Sequence, residues 1–210
     1  MQAARGTSLS DDATSDQPPD TSRRRRLRLR FAVVALAVYA VDVGSKILAV
    51  DRLTGREDIP VVGDLLVLHL TRNPGAAFST GTQFTEVLSC IAIAAVLIVL
   101  WLSRRLGSPG WAVGLGLLLA GVAGNLTDRL LRQPGPLRGH VIDFLMLPNW
   151  PVFNIADMAI NAAAVTILVQ AFRGVHLDGT REERSRDDRD GTAETSETDP
   201  PEPSPQEPTA

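Results

Sequence analysis

Cysteine is almost missing from this 210-residue chain, and Cys90 stands alone. A single cysteine cannot close an intrachain disulfide. A disulfide-stapled secreted scaffold and a multi-cysteine metal site are therefore excluded, and Cys90 is expected to be a packed apolar side chain. Histidine is also scarce. His69, His140 and His176 are scattered, and no grouping of His, Cys and acid has metal-ligand spacing. There is no Gly-x-Ser-x-Gly element, no conspicuous Ser–Lys dyad and no phosphate-cradling glycine loop. No metal and no cofactor is expected, and the candidates for chemistry are carboxylates alone.

A strong net charge is lacking too. The value of −3 averages a basic N-terminal cluster, an apolar middle and an acidic tail. Residues 1–22 and 174–210 are rich in polar residues and proline and poor in apolar ones. They cannot bury enough surface to offset chain entropy and are expected to be disordered. Residues 23–173 form the expected folded domain.

Long apolar runs are what the middle has. Four stretches, at about 31–50, 87–103, 111–130 and 152–172, approach the roughly 20 residues that a helix needs to cross a bilayer. Arg23, Arg24, Arg25, Arg26, Arg28 and Arg30 precede the first, Arg104 and Arg105 lie between the second and third, and Arg173 follows the fourth. Four crossings put all three groups on one side, which the positive-inside rule makes cytoplasmic. The opposite, extracytoplasmic side receives residues 51–83 and 131–151. In the first of these loops, Ile59 to Leu70 reads as short strands around a turn. The expected fold is an all-α membrane protein, a bundle of four transmembrane helices with a small extracytoplasmic β element. Gly116, Ala120 and Gly124 recur at four-residue spacing on the third span, which suits close helix packing.

Four aspartates, Asp42, Asp128, Asp143 and Asp157, sit in or beside stretches that lipid would otherwise cover. A charged side chain at the centre of a membrane helix costs about 2.5–3.5 kcal/mol on insertion scales, so a span that keeps one is normally using it. Asp42 and Lys46 are an i,i+4 pair, read either as an intramembrane ion pair or as a tether to another segment. Asn125 shares a helix face with Asp128 and Arg129. Asp143 lies in a short extended piece between prolines and apolar neighbours, a setting that raises a carboxyl pKa. Asn154 and Asp157 have the spacing of a capping box opening the fourth span. Two carboxylates in one pocket share a proton, so one can activate water while the other polarises a carbonyl. Residue types alone leave open which two do so.

Five short motifs occur in order: Asp42-Val43-Gly44-Ser45-Lys46, Asn73-Pro74-Gly75-Ala76-Ala77-Phe78, Gly124-Asn125-Leu126-Thr127-Asp128-Arg129, Val141-Ile142-Asp143-Phe144 and Phe153-Asn154-Ile155-Ala156-Asp157. Together, over about residues 30–172, they resemble the lipoprotein signal peptidase (signal peptidase II) family. The resemblance implies a bacterial inner-membrane aspartic endopeptidase of four transmembrane helices. Such an enzyme removes the signal peptide from a diacylglyceryl-modified prolipoprotein by cutting before the lipidated cysteine. It implies Asp143 and Asp157 as the catalytic pair, with Asp128 as a competitor for the first place. Asp143 is preferred because no cation follows it in sequence, whereas Arg129 beside Asp128 is expected to hold that acid ionised. Asn73, Gly75 and Arg129 match positions that contact substrate or organise the site, and Asn125, Asn154 and Ala156 would support it. The implied partners are lipid-modified prolipoproteins and membrane lipid, with no nucleic acid and no obligate protein partner. Residues 132–138 read as a longer connection than many relatives carry. The rival reading is a small transporter or proton relay, which would also keep acids in its spans. A non-enzymatic assembly subunit is a second rival.

Overall fold

The computed structural model describes residues 21–75 and 84–181. Most of the two expected tails, and residues Ala76, Ala77 and Phe78 of the second motif, lie outside those residues. Four helices carry the fold: α1 (Thr21–Leu53), α2 (Thr85–Leu102), α3 (Pro109–Leu131) and α4 (Ile155–Phe172). Three strands, β1 (Ile59–Val62), β2 (Leu66–Asn73) and β3 (Val141–Met146), form an antiparallel sheet in the order β1-β2-β3. All four helices are long and apolar enough to cross a membrane. Large apolar side chains such as Leu36, Leu97, Val165 and Phe172 are exposed on their outer faces, the surface a bilayer covers. The protein is a multi-pass membrane protein with a minor β element.

Each helix starts and stops for local reasons. The first runs on about 50 Å, well past a 30 Å hydrocarbon core, which leaves the arginines of its first turns outside. It ends at Gly55, whose φ of 72° is the left-handed conformation that closes a helix at little steric cost. The third starts with Pro109 in its first turn, where the missing N–H is not needed. The fourth starts at Ile155, three residues later than expected. Phe153 instead exchanges backbone hydrogen bonds with Leu145 of β3, at 2.9 Å in both directions.

The helix α3 is central, packing along α1, α2 and α4. Its small residues decide how close the neighbours come. A Cβ on Gly121 would sit 2.5 Å from the Ala156 carbonyl oxygen, and one on Gly124 would sit 2.3 Å from the Asp42 carboxylate. The helix α2 is attached loosely. Only Thr85, Ser89 and Val99 of it are buried, and Cys90 is exposed rather than packed as expected, because it lies on the outward face of this peripheral helix.

The basic clusters gather at the end away from the sheet. Arg28 donates to the Arg104 carbonyl at 3.1 Å. Residues 174–181, placed in the tail by composition, continue as a turn docked there. Gly107 N–H donates to the Leu177 carbonyl at 2.9 Å, and the Trp111 indole to the Val175 carbonyl at 2.7 Å.

Candidate active site

The site is built where the sheet meets the helix ends. The β2–β3 register sets Thr71 opposite Asp143. Alternation puts Thr71 and Asn73 on one face, so Asn73 reaches diagonally across the pair to the acid. Its amide donates to Asp143 Oδ2 at 3.0 Å, while its own oxygen accepts from Gly75 N–H at 2.9 Å.

Asn154 joins the two acids. It is the N-cap of α4, and its capping box is complete: Oδ1 accepts from Asp157 N–H at 2.9 Å, and Asp157 Oδ2 accepts from Asn154 N–H at 3.1 Å. The remaining end of the Asn154 amide donates to Asp143 Oδ1 at 2.6 Å. One residue thus touches both carboxylates, so Asp157 closes the capping box while its carboxylate stays linked to Asp143 through Asn154. Asn125, on α3, donates to Asp157 Oδ1 at 2.9 Å. Every carboxylate oxygen of the two acids accepts an N–H.

Burial makes the Asp143 carboxyl easier to protonate than a free aspartate. Asp143 is only 3% exposed. Burial, and then the neighbouring charge of Asp157, push its pKa up to about 6, against the opposing pull of the Asn73 and Asn154 amides and of Lys46. Both acids line one cavity of about 680 Å³, with Asn73, Gly75, Asn125 and Arg129 on its wall.

Asp42, Lys46 and Asp128 lie behind this wall rather than on it. Asp42 and Lys46 are 0% and 1% exposed, and the Lys46 nitrogen lies 2.9 Å from Asp42 and 3.0 Å from Asp128. The pair is both an ion pair and a tether, since Asp42 Oδ1 also accepts from Ala156 N–H of α4 at 2.8 Å. One expectation needs correcting. Asp128 is not held by Arg129, whose guanidinium turns away to donate to the Gly75 carbonyl at 2.8 Å. Asp128 is held by Lys46, by Arg132 and by Ile142 N–H. Residues i and i+1 on a helix point about 100° apart, whereas i and i+4 share a face, which favours Arg132 over Arg129. Arg132 opens the connection over residues 132–138, and its i,i+4 spacing from Asp128 is the sequence signal for this contact.

Comparison with known proteins decides the family. The family model described as signal peptidase (SPase) II matches residues 34–173. The chain belongs to the signal peptidase II family. This peptidase is 42% identical over 189 residues to a lipoprotein signal peptidase of Mycolicibacterium smegmatis, covering 90% of this chain and 80% of that one. It is 48% identical over 166 residues to one from Mycobacterium avium, covering 79% and 88%. A bacterial membrane enzyme solved by the in meso method at 2.3 Å shares the fold, with a TM-score of 0.61 at 22% identity, over 73% of this chain and 94% of that chain. The peptidase is thus an aspartic endopeptidase of the kind that cleaves prolipoprotein signal peptides.

Proposed function

We propose that Asp143 and Asp157 are the catalytic pair, and that they cut a diacylglyceryl-modified prolipoprotein before its lipidated cysteine. The observation that carries this reading is Asn154, which contacts both carboxylates and fixes them in one cavity. The pair shares a proton and flanks a water that attacks the scissile carbonyl. A tetrahedral intermediate forms and collapses without an acyl-enzyme. The upward shift of the Asp143 pKa makes a proton on the pair easier to hold than on a free aspartate. Asn73, Gly75 and Arg129, on the cavity wall, are placed to meet the peptide. Asp128 is left out of the pair because two cations and a backbone N–H already occupy it.

The signal helix enters from lipid between the spans, and its acyl chains stay in the bilayer. The arginine-rich end is cytoplasmic, by the positive-inside rule, and the sheet and cavity are extracytoplasmic. Both chain ends are then cytoplasmic. No obligate protein partner and no nucleic acid is involved.

The test is incubation of the purified protein with one diacylglyceryl-modified precursor and its unmodified twin. The modified precursor is cut and the twin is not. Equal cutting of both removes the lipid requirement. Ion or solute flux in proteoliposomes without cleavage would favour the transporter reading.

A further inference from the structure

Among the described residues, Lys46 is the one buried cation that contacts the site's polar network from behind without lining the cavity. An ammonium has three N–H donors and no acceptor. Here the ammonium makes ion pairs with Asp42 Oδ2 at 2.9 Å and Asp128 Oδ2 at 3.0 Å, and donates a hydrogen bond to Asn125 Oδ1 at 2.8 Å. The third contact fixes a choice that Asn125 would otherwise have. A carboxamide presents an acceptor at one end and two donors at the other. With its oxygen toward Lys46, its NH2 must face Asp157, as found at 2.9 Å. The flipped amide would set an NH2 against the ammonium and an oxygen against the carboxylate, losing both contacts at once. Asn154 reinforces the choice by donating to the same Asn125 oxygen at 3.2 Å.

We propose that Lys46 is a positioning residue for the aspartate pair, holding the Asn125 amide so that Asp157 is always offered a donor. This rests on Asp157 being one of the pair. The ion pair with Asp42 and Asp128 is then the anchor that keeps Lys46 still, and the contact with Asn125 is what the site uses. Because Asn125 and Lys46 come from different helices, the device also ties the bundle's packing to the geometry of the acids.

The test is a double-mutant cycle on the full chain, with cleavage of a diacylglyceryl-modified precursor as readout. Lys46→Met and Asn125→Ala each lower kcat by about 10–100-fold with KM within about twofold, the size expected for a misplaced catalytic group. Combined, they lower kcat no further than Asn125→Ala alone. If Lys46→Met costs the same factor on the Asn125→Ala background, or raises KM with kcat unchanged, the proposal is overturned. Lys46→Met strands two buried acids, so a second comparison guards against misfolding. Asp42→Asn keeps an oxygen for Ala156 N–H, and Asp42→Asn with Lys46→Met is measured against Asp42→Asn alone. The same loss in kcat is expected, and no loss overturns the proposal. Asp157→Asn in the same assay separates the two ideas. If that variant stays active, the assignment of the pair fails. If it is dead and the cycle is additive, only the role of Lys46 fails.

Discussion

The two ends of the bundle satisfy their polar groups in opposite ways. At the arginine-rich end, Leu27, Phe31, Val99, Leu106, Ala112 and Leu115 pack together, and the contacts beside them are to carbonyls or between neutral side chains. Gln170 donates to Ser108 at 3.1 Å, for example, and Trp111 to the Val175 carbonyl. At the sheet end, beside the apolar Ala49, Leu53, Ile142 and Phe144, the buried polar residues include Asp42, Lys46, Asp128, Arg129, Asp143 and Asn154, linked by side-chain contacts that cross from one element to another. Neutral contacts are worth about 1 kcal/mol each, and their loss stays local. Buried charged networks are held only while every member is matched, so one change propagates. The far end holds the helices together, and the sheet end sets an arrangement.

The sharpest break in this contrast is at the acids. Asp143→Asn and Asp157→Asn should each insert and fold yet lose cleavage by a factor on the order of 10⁴ or more, as expected when one member of a catalytic unit is removed. Ordinary turnover by either variant would take that residue out of the pair.

A second break uses pH. The folded-state pKa of Asp143 is raised from 3.8 to about 6, so the folded protein holds this proton more tightly than the unfolded chain. Its contribution to stability is complete below about pH 4 and is lost as pH rises through about 6, a change of about 3 kcal/mol. Melting temperatures measured between pH 4 and 7 should fall in the wild type relative to Asp143→Asn. Parallel curves would show that the acid does not titrate there.

Gly124→Ala should act next in size. The new methyl would meet the Asp42 carboxylate and lie 3.3 Å from the Ala156 Cβ, pushing α4 and its aspartate out of place. A shift approaching 1 Å lowers cleavage by about 100-fold, which precursor assays on the purified variant would read. The smallest effect belongs to the far end. Trp111→Phe leaves the Val175 carbonyl without its donor, costing about 1 kcal/mol in thermal melts with cleavage unchanged. A large loss of cleavage there would erase the distinction between the ends.

Much of the architecture was legible from residue order. The apolar runs marked all four helices to within a few residues at most ends, because composition and length alone decide what can span a bilayer. The exceptions, the early start of α1 and the late start of α4, come from arginines that continue a helix outside the apolar run and from a backbone pairing between Phe153 and Leu145. The strands around the Gly63 turn were visible as well. Cys90 was misread because apolar residues on a membrane helix face lipid as readily as core, and composition does not tell the two apart.

By itself the sequence determined the spans, the motifs and the short-range pairings: Asp42 with Lys46, and Asn154 with Asp157. These depend on helix pitch and capping, which act over three or four residues. Tertiary structure alone decided that Lys46 meets Asn125 and Asp128, that Asn154 reaches Asp143, and that Arg129 turns to Gly75 while Arg132 takes Asp128. A buried charge or amide goes to whichever partner packing brings within about 3 Å, and that distance is set by how close glycine lets two helices come.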